Sequence, residues 1–204
     1  MNRKIIPILF MFFVVTLASL ACQFTNRAIG IDSGSAPAPQ TGSQPTTQPV
    51  SGGPQEIRQW AVSATASTQY SESSWNAEQA TGAPNVMECG DNGLAWASSN
   101  GDSVEWLELV YATPVIPTEI VIHQSYNPSQ VIEVDVIDTD GNSYIAWKGT
   151  PESVSSCPDE MTITLELEEK IIVNKIVITV DQSVLNLGWN EIDAVELVGT
   201  APGS

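Results

Sequence analysis

The chain has 204 residues, 24 Asp and Glu against 7 Lys and Arg, and a formal net charge of −17. Beyond residue 30 its basic residues are Arg58, Lys148, Lys170 and Lys175, so a phosphate backbone or an anionic headgroup meets repulsion, and nucleic acid is excluded as a partner. Hydrophobic residues make up 42%, enough for a packed core, so the acidity does not signal disorder, and the length suits one domain with appendages.

Asn2-Arg3-Lys4 followed by Ile5 to Leu20 reads as the charged and apolar regions of an export signal. At about 16 residues, interrupted by Pro7, the apolar run is shorter than the ~20 a membrane span needs. It closes on Leu17-Ala18-Ser19-Leu20-Ala21-Cys22, which resembles the lipobox of bacterial lipoproteins, although Ser19 stands where that family prefers Leu. The resemblance implies that residues 1–21 are a lipoprotein signal peptide and that Cys22 is lipidated. Ordinary cleavage nearby, leaving a secreted protein, is the alternative. Residues 22–55 turn to Ser, Gly, Pro, Thr and Gln with almost no large apolar side chain, so nothing offsets the entropy of folding and the stretch is expected to be a tether. The expected location is extracytoplasmic, membrane-anchored at a bacterial cell surface.

Residues 56–200 are dense in Val, Ile, Trp and Thr at strand spacing. Ile132, Val134 and Val136 alternate with Glu133 and Asp135, and Met161, Ile163, Leu165 and Leu167 alternate with Thr162, Thr164, Glu166 and Glu168; both read as half-buried antiparallel strands. Val104–Val110, Glu119–His123, Ser143–Lys148 and Ile171–Val180 are further strands. Asn127-Pro128, Asp138 to Asn142, Thr150-Pro151 and Cys157-Pro158-Asp159 supply turns, and Ser74–Ala80 has room for one or two helical turns. Short strands without helical spacers predict an all-β fold, a two-sheet antiparallel jelly-roll sandwich.

The closing strand, Asn190 to Gly199, has apolar residues on both faces, as in a strand covered on both sides. Strict alternation places Glu196 with Ile192, Ala194 and Val198, where a buried carboxylate needs a partner. Basic residues are scarce, so a bound cation or backbone N–H donors are the expected solution. With Cys22 assigned to lipid, Cys89 and Cys157 remain, and an exported protein is expected to bridge such a pair; two free thiols or a metal site are the alternatives.

Three stretches resemble the galactose-binding-like jelly-roll superfamily, which includes the discoidin domains and many bacterial carbohydrate-binding modules. They are Ala64 to Tyr70 leading into Asn76 to Asn85, Glu105-Trp106-Leu107-Glu108-Leu109 followed by Pro114-Val115, and Asn190 to Gly199. Many members hold a structural Ca²⁺ between the early loop and the last strand. The resemblance implies Ca²⁺ ligands at the Asn85 side chain, the carbonyls of Ala80 and Gly82, and Glu196. The chain departs from the family in lacking the discoidin Asp-Gly-Asp and Thr-x-Trp at residues 81–85, and in having no Arg beyond Arg58 to stand beside a His.

His123, Gln124, Tyr126 and Asn127 leave a strand for a loop and offer the imidazole, amides and aromatic face that a sugar site uses. Trp75, Trp96, Trp147 and Trp189 are alternative platforms, with core packing the more ordinary role for a Trp. Asp138 to Asn142 lacks the downstream Glu of a calcium loop and reads as a hairpin turn. No His cluster, phosphate loop or nucleophile elbow occurs, and acid pairs such as Glu105/Glu108 or Glu191/Asp193 are common enough here to arise by chance. The expectation is therefore a module that binds a glycan or other extracellular polymer without catalysis. A protein–protein or adhesion module of an envelope complex is the alternative.

Overall fold

A computed structural model describes residue 53, residues 55–167 and residues 169–203. The expected signal peptide, Cys22 and nearly all of the tether lie outside the described residues. Among the described residues eight strands follow in order: β1 (Glu56–Trp60), β2 (Ser63–Ala66), β3 (Val104–Tyr126), β4 (Val131–Asp138), β5 (Ser143–Lys148), β6 (Asp159–Thr164), β7 (Val173–Asp181) and β8 (Glu191–Thr200). A 3₁₀ turn, Ala77–Ala80, is the small helical element that Ser74–Ala80 suggested. All pairings between these strands are antiparallel, as expected for an all-β sandwich.

The long strand β3 belongs to both layers. Its first half, Val104 to Val110, pairs with β2 on one side and β7 on the other, and β7 continues to β4 and β5. Its second half, Ile116 to Tyr126, runs between β6 and β8, and β8 continues to β1. Val104–Val110 and Glu119–His123, expected as separate strands, are thus one. Between them lie Pro114 and Pro117, which cannot donate to a ladder. They sit where the pairing registers shift, and the chain passes through them from one sheet to the other. Tyr111, buried at this passage, donates its hydroxyl to the Val195 carbonyl of β8 at 3.3 Å.

The core lies between the layers. Leu107, Leu109, Ile176, Ile178, Val134 and Val136 meet Ile120, Ile122, Ile163, Val195 and Leu197. Burying each Ile or Leu of this set contributes roughly 1.5–3 kcal/mol. Strand β8 is buried along nearly its whole length, as its two-faced apolar pattern required. Its alternation is not strict, however. Ile192 shares the core with Val195 and Leu197, three residues apart rather than two or four, because the register with β3 slips between Ala194 and Ile192. That irregularity frees the carboxylates of Glu191 and Asp193 for the loops above them. Gly199 answers a separate constraint: a methyl there would overlap the Ile116 carbonyl oxygen and lie 2.7 Å from Val115 Cγ2, so only glycine lets β8 pass under the turning β3.

Candidate functional site

Three segments converge at one end of the sandwich: the long β2–β3 connection, the end of β3, and the β7–β8 connection. They enclose an open recess of about 350 Å³ lined by Tyr70, Trp75, Asp91, Tyr126, Trp189 and Glu191. Tyr70 stands edge-on to both indoles, with ring centroids 5.4 Å from Trp75 and 5.8 Å from Trp189. Tyr70 is 55% exposed and Trp189 38% exposed, so these rings offer their surface to solvent. The ordinary core role expected for a Trp holds for Trp96, which is fully buried, and Trp147 packs against the core edge.

The recess is built under strain. Trp75 has φ of +52°, a conformation costly for a bulky residue. The backbone holds it there: Trp75 N donates to the Gly93 carbonyl at 3.0 Å and the Trp75 carbonyl accepts from Ala97 N at 3.2 Å. Trp189 is fixed by its indole N–H, which donates to the Ser98 carbonyl at 3.1 Å, and by Gly101, where a Cβ would come within 3.0 Å of Trp189 N.

At the base of the recess, Trp75 Nε1 lies between two acids, 3.0 Å from Asp91 Oδ1 and 3.2 Å from Glu191 Oε1. Glu191 is 1% exposed and accepts the Asn92 amide on its other oxygen at 3.0 Å. Burial lifts its carboxyl from the ordinary 4.5 to about 8; the Asn92 and Trp75 donors oppose the rise, and the hydrogen-bonded, negatively charged Asp91 reinforces it. Among the described residues, no Lys, Arg or His lines this recess. The disulfide between Cys89 and Cys157, 68 residues apart, anchors the segment carrying Asp91 to the loop before β6. Beside it, Gly90 N donates to the Ser125 carbonyl at 3.2 Å.

The four residues expected to bind ligand are divided. Tyr126 lines the aromatic recess. His123 and Gln124 line a second one of about 650 Å³, with Ser125, Asp193 and Glu160. The His123 ring lies tilted by 58° to that of Trp60 with centroids 5.4 Å apart, and its Nδ1 is 3.2 Å from Glu160. Gln124 is buried, accepting the Ser129 amide at 3.0 Å and the Asn190 side-chain amide at 3.1 Å. Asn127 has φ of +40° and donates to the Leu187 carbonyl at 2.8 Å, tying the end of β3 to the β7–β8 connection.

The residues named for Ca²⁺ are divided as well. Glu196 alternates with the core residues Val195 and Leu197, and so projects from the other face of its sheet. Its carboxylate takes Arg58 Nη2 at 2.7 Å and Nε at 3.1 Å, and the same Nη2 reaches Glu119 at 3.3 Å. The scarcity of bases argued against such a partner, yet β1 delivers one. Glu196 therefore does not fit the cation-ligand role. The acid that does meet the early loop is Asp193, whose Oδ2 accepts the amides of Asn85 at 2.9 Å and Val86 at 3.0 Å. Burial nevertheless raises the Asp193 carboxyl, with those two amides and His123 opposing. Ala80 is buried within the core cluster, and Gly82 N donates to the Ala61 carbonyl at 3.0 Å. Among the described residues no group of three or more His, Cys, Asp and Glu is arranged to hold a metal ion.

Fold and site together define an antiparallel β-sandwich domain with an aromatic recess at its loop end. The chain belongs to the family described as Pappalysin-1, SD scarf domain, C-terminal, whose profile matches residues 53–203. A search of curated proteins found no match. Among solved structures, the chain is similar to the family 32 carbohydrate-binding module from Clostridium perfringens NanJ in complex with galactose, at 20% identity and a TM-score of 0.51, covering 70% of this chain and 99% of that one. A chitosan-binding module from a Paenibacillus chitosanase/glucanase matches at 14% identity and a TM-score of 0.52, covering 67% and 93%. Allantoicase from Saccharomyces cerevisiae matches at 13% identity and a TM-score of 0.52, covering 71% of this chain and 43% of the enzyme.

Proposed function

We propose that the domain binds a glycan, without catalysis, in the aromatic recess between Tyr70, Trp75 and Trp189, and that it does so at a cell surface to which Cys22 anchors it. The observation that carries this reading is the recess itself: indole and phenol rings held open to solvent at the loop end, beside carboxylates able to accept hydrogen bonds from sugar hydroxyls. That two of the structural neighbours are sugar-binding modules agrees with it.

Hydrolysis is disfavoured by the same geometry. A glycosidase holds its two carboxyl groups ~5–9.5 Å apart, with the scissile bond between them. Asp91 and Glu191 both accept the Trp75 indole N–H, which occupies the space between them that a scissile bond would need. The other acid pairs are also engaged: Glu105 by the hydroxyls of Ser67 and Ser103, Glu108 by Lys175. Calcium, if held by Ala80, Gly82 and Asn85, is held without Glu196, and a melting midpoint lowered by EGTA would reveal it.

The test is glycan-array screening of the folded domain, followed by titration of the tryptophan fluorescence with each sugar that binds. Tyr70→Ala and Trp189→Ala are each expected to weaken binding at least about tenfold, the loss of one stacking platform. Binding unchanged in both variants would place the ligand elsewhere and sink the assignment.

A further inference from the structure

The aromatic recess combines features that a neutral sugar does not need. Electron-rich ring faces attract a cation within about 6 Å of a ring centroid, more strongly where the cation is desolvated. Tyr70, Trp75, Tyr126 and Trp189 supply such faces around one small space. Beneath them lie Asp91, open to solvent, and Glu191, buried, with no basic side chain among the described residues of the lining. Elsewhere in the molecule acids have been given bases: Arg58 for Glu196 and Glu119, Lys148 for Glu133, Lys175 for Glu108. Here the donors are the Trp75 indole N–H, shared by both carboxyl groups, and the Asn92 amide on Glu191, neither of them a base.

Resting on the glycan reading, we propose that this recess selects a saccharide bearing a free, protonated amine, the ammonium seated among the rings of Tyr70, Trp75 and Trp189 above the Asp91–Glu191 pair. An ammonium has N–H donors for both acids and a charge that relieves their repulsion. An N-acetylated or purely hydroxylated sugar has no such charge. The other titratable groups lining the recess are the phenols of Tyr70 and Tyr126. A bound cation favours the ionised form of both acids. Capture of the amine therefore releases a proton from Glu191 to solvent, and affinity rises with pH as long as the amine stays protonated.

The experiment compares two probes, the fully deacetylated glucosamine hexamer and the N-acetylglucosamine hexamer, by isothermal titration calorimetry at pH 6 in two buffers of different ionisation enthalpy. The expected result is at least about tenfold tighter binding of the deacetylated hexamer, with an observed enthalpy that differs between the two buffers in the sense of proton release. Asp91→Asn should remove most of that preference. Because the whole chain is acidic, Asp140→Asn, in the exposed β4–β5 turn, serves as the control for general attraction of a polycation and should retain the preference. Equal affinity for the two hexamers overturns the ammonium inference while leaving the glycan reading intact. Equal losses in Asp91→Asn and Asp140→Asn overturn it in favour of diffuse electrostatics. Binding of neither hexamer, while the array identifies another sugar, overturns the inference alone; silence on the array as well removes both.

Discussion

The two ends of β8 treat their acids in opposite ways. Near its C-terminus Glu196 is clasped by Arg58, and Gly199 lets the strand slide beneath the turning β3. At its N-terminus Glu191 is more deeply buried, has no basic partner and stands against a second acid. The first arrangement is complete within the chain and serves the fold. The second leaves a buried carboxyl without a base beneath exposed aromatic rings and a strained Trp75, which is what a chain built only for stability would avoid. In this protein the informative acid is the one without a base.

Separating the two ends by mutation sharpens the contrast. The largest effect belongs to the disulfide. Cys89→Ala with Cys157→Ala opens a long loop and should cost about 2–4 kcal/mol in denaturant unfolding. Because the bridge anchors the segment carrying Asp91, the same variant should lose sugar affinity at temperatures where it remains folded. Full affinity in the folded double variant would show that the loop is positioned without the bridge. Next comes Gly199→Ala, where the added methyl meets the Ile116 carbonyl and Val115, with an expected cost of about 1–3 kcal/mol. This change belongs to the structural end of β8, so affinity for the sugar should stay within about twofold of the parent.

How much of this was legible beforehand depended on whether the signal was local. Ile132 to Val136 and Ser143 to Lys148 were readable as strands because period-two alternation needs only neighbours. The continuity of β3 was hidden, since Pro114 and Pro117 look like breaks until a bend between two sheets is there to use them. Arg58 lies 138 residues from Glu196, and its role depends on β1 pairing with β8. Asp91 and Glu191 likewise meet only through the fold, 100 residues apart, and the left-handed backbone at Trp75 has no signature in composition. Trp75, Trp189 and Tyr126 were visible as aromatic candidates, but nothing in the order of residues separated them from Trp96.

A smaller change tests the binding end of β8 directly. Glu191 holds its proton more tightly when folded, at about 8, than at the ordinary 4.5 of an unfolded chain. Between those values the native state carries the extra proton, so this group's contribution is fully present below about pH 4.5 and is lost as pH rises through about 8. Glu191→Gln keeps the side chain neutral throughout. Its stability relative to the parent should therefore improve by about 1–3 kcal/mol between pH 5 and pH 9. Parallel stability curves for variant and parent would mean that the carboxyl is solvated after all.

The smallest expected effect is at the paired acid. Arg58 is half exposed, so water already screens much of its attraction for Glu196, and Arg58→Met should lower the melting midpoint less than any change above. The loss that does occur comes from leaving Glu196, whose side chain is 13% exposed, without a charge partner. Adding Glu196→Gln to Arg58→Met should then recover stability, because a neutral amide costs less to keep at that depth than an unpaired carboxylate. If the double variant is instead less stable than Arg58→Met alone, Glu196 has a further partner, and the distinction between a satisfied and an unsatisfied end of β8 fails. Sugar binding should be indifferent to both variants, since neither residue borders the aromatic recess.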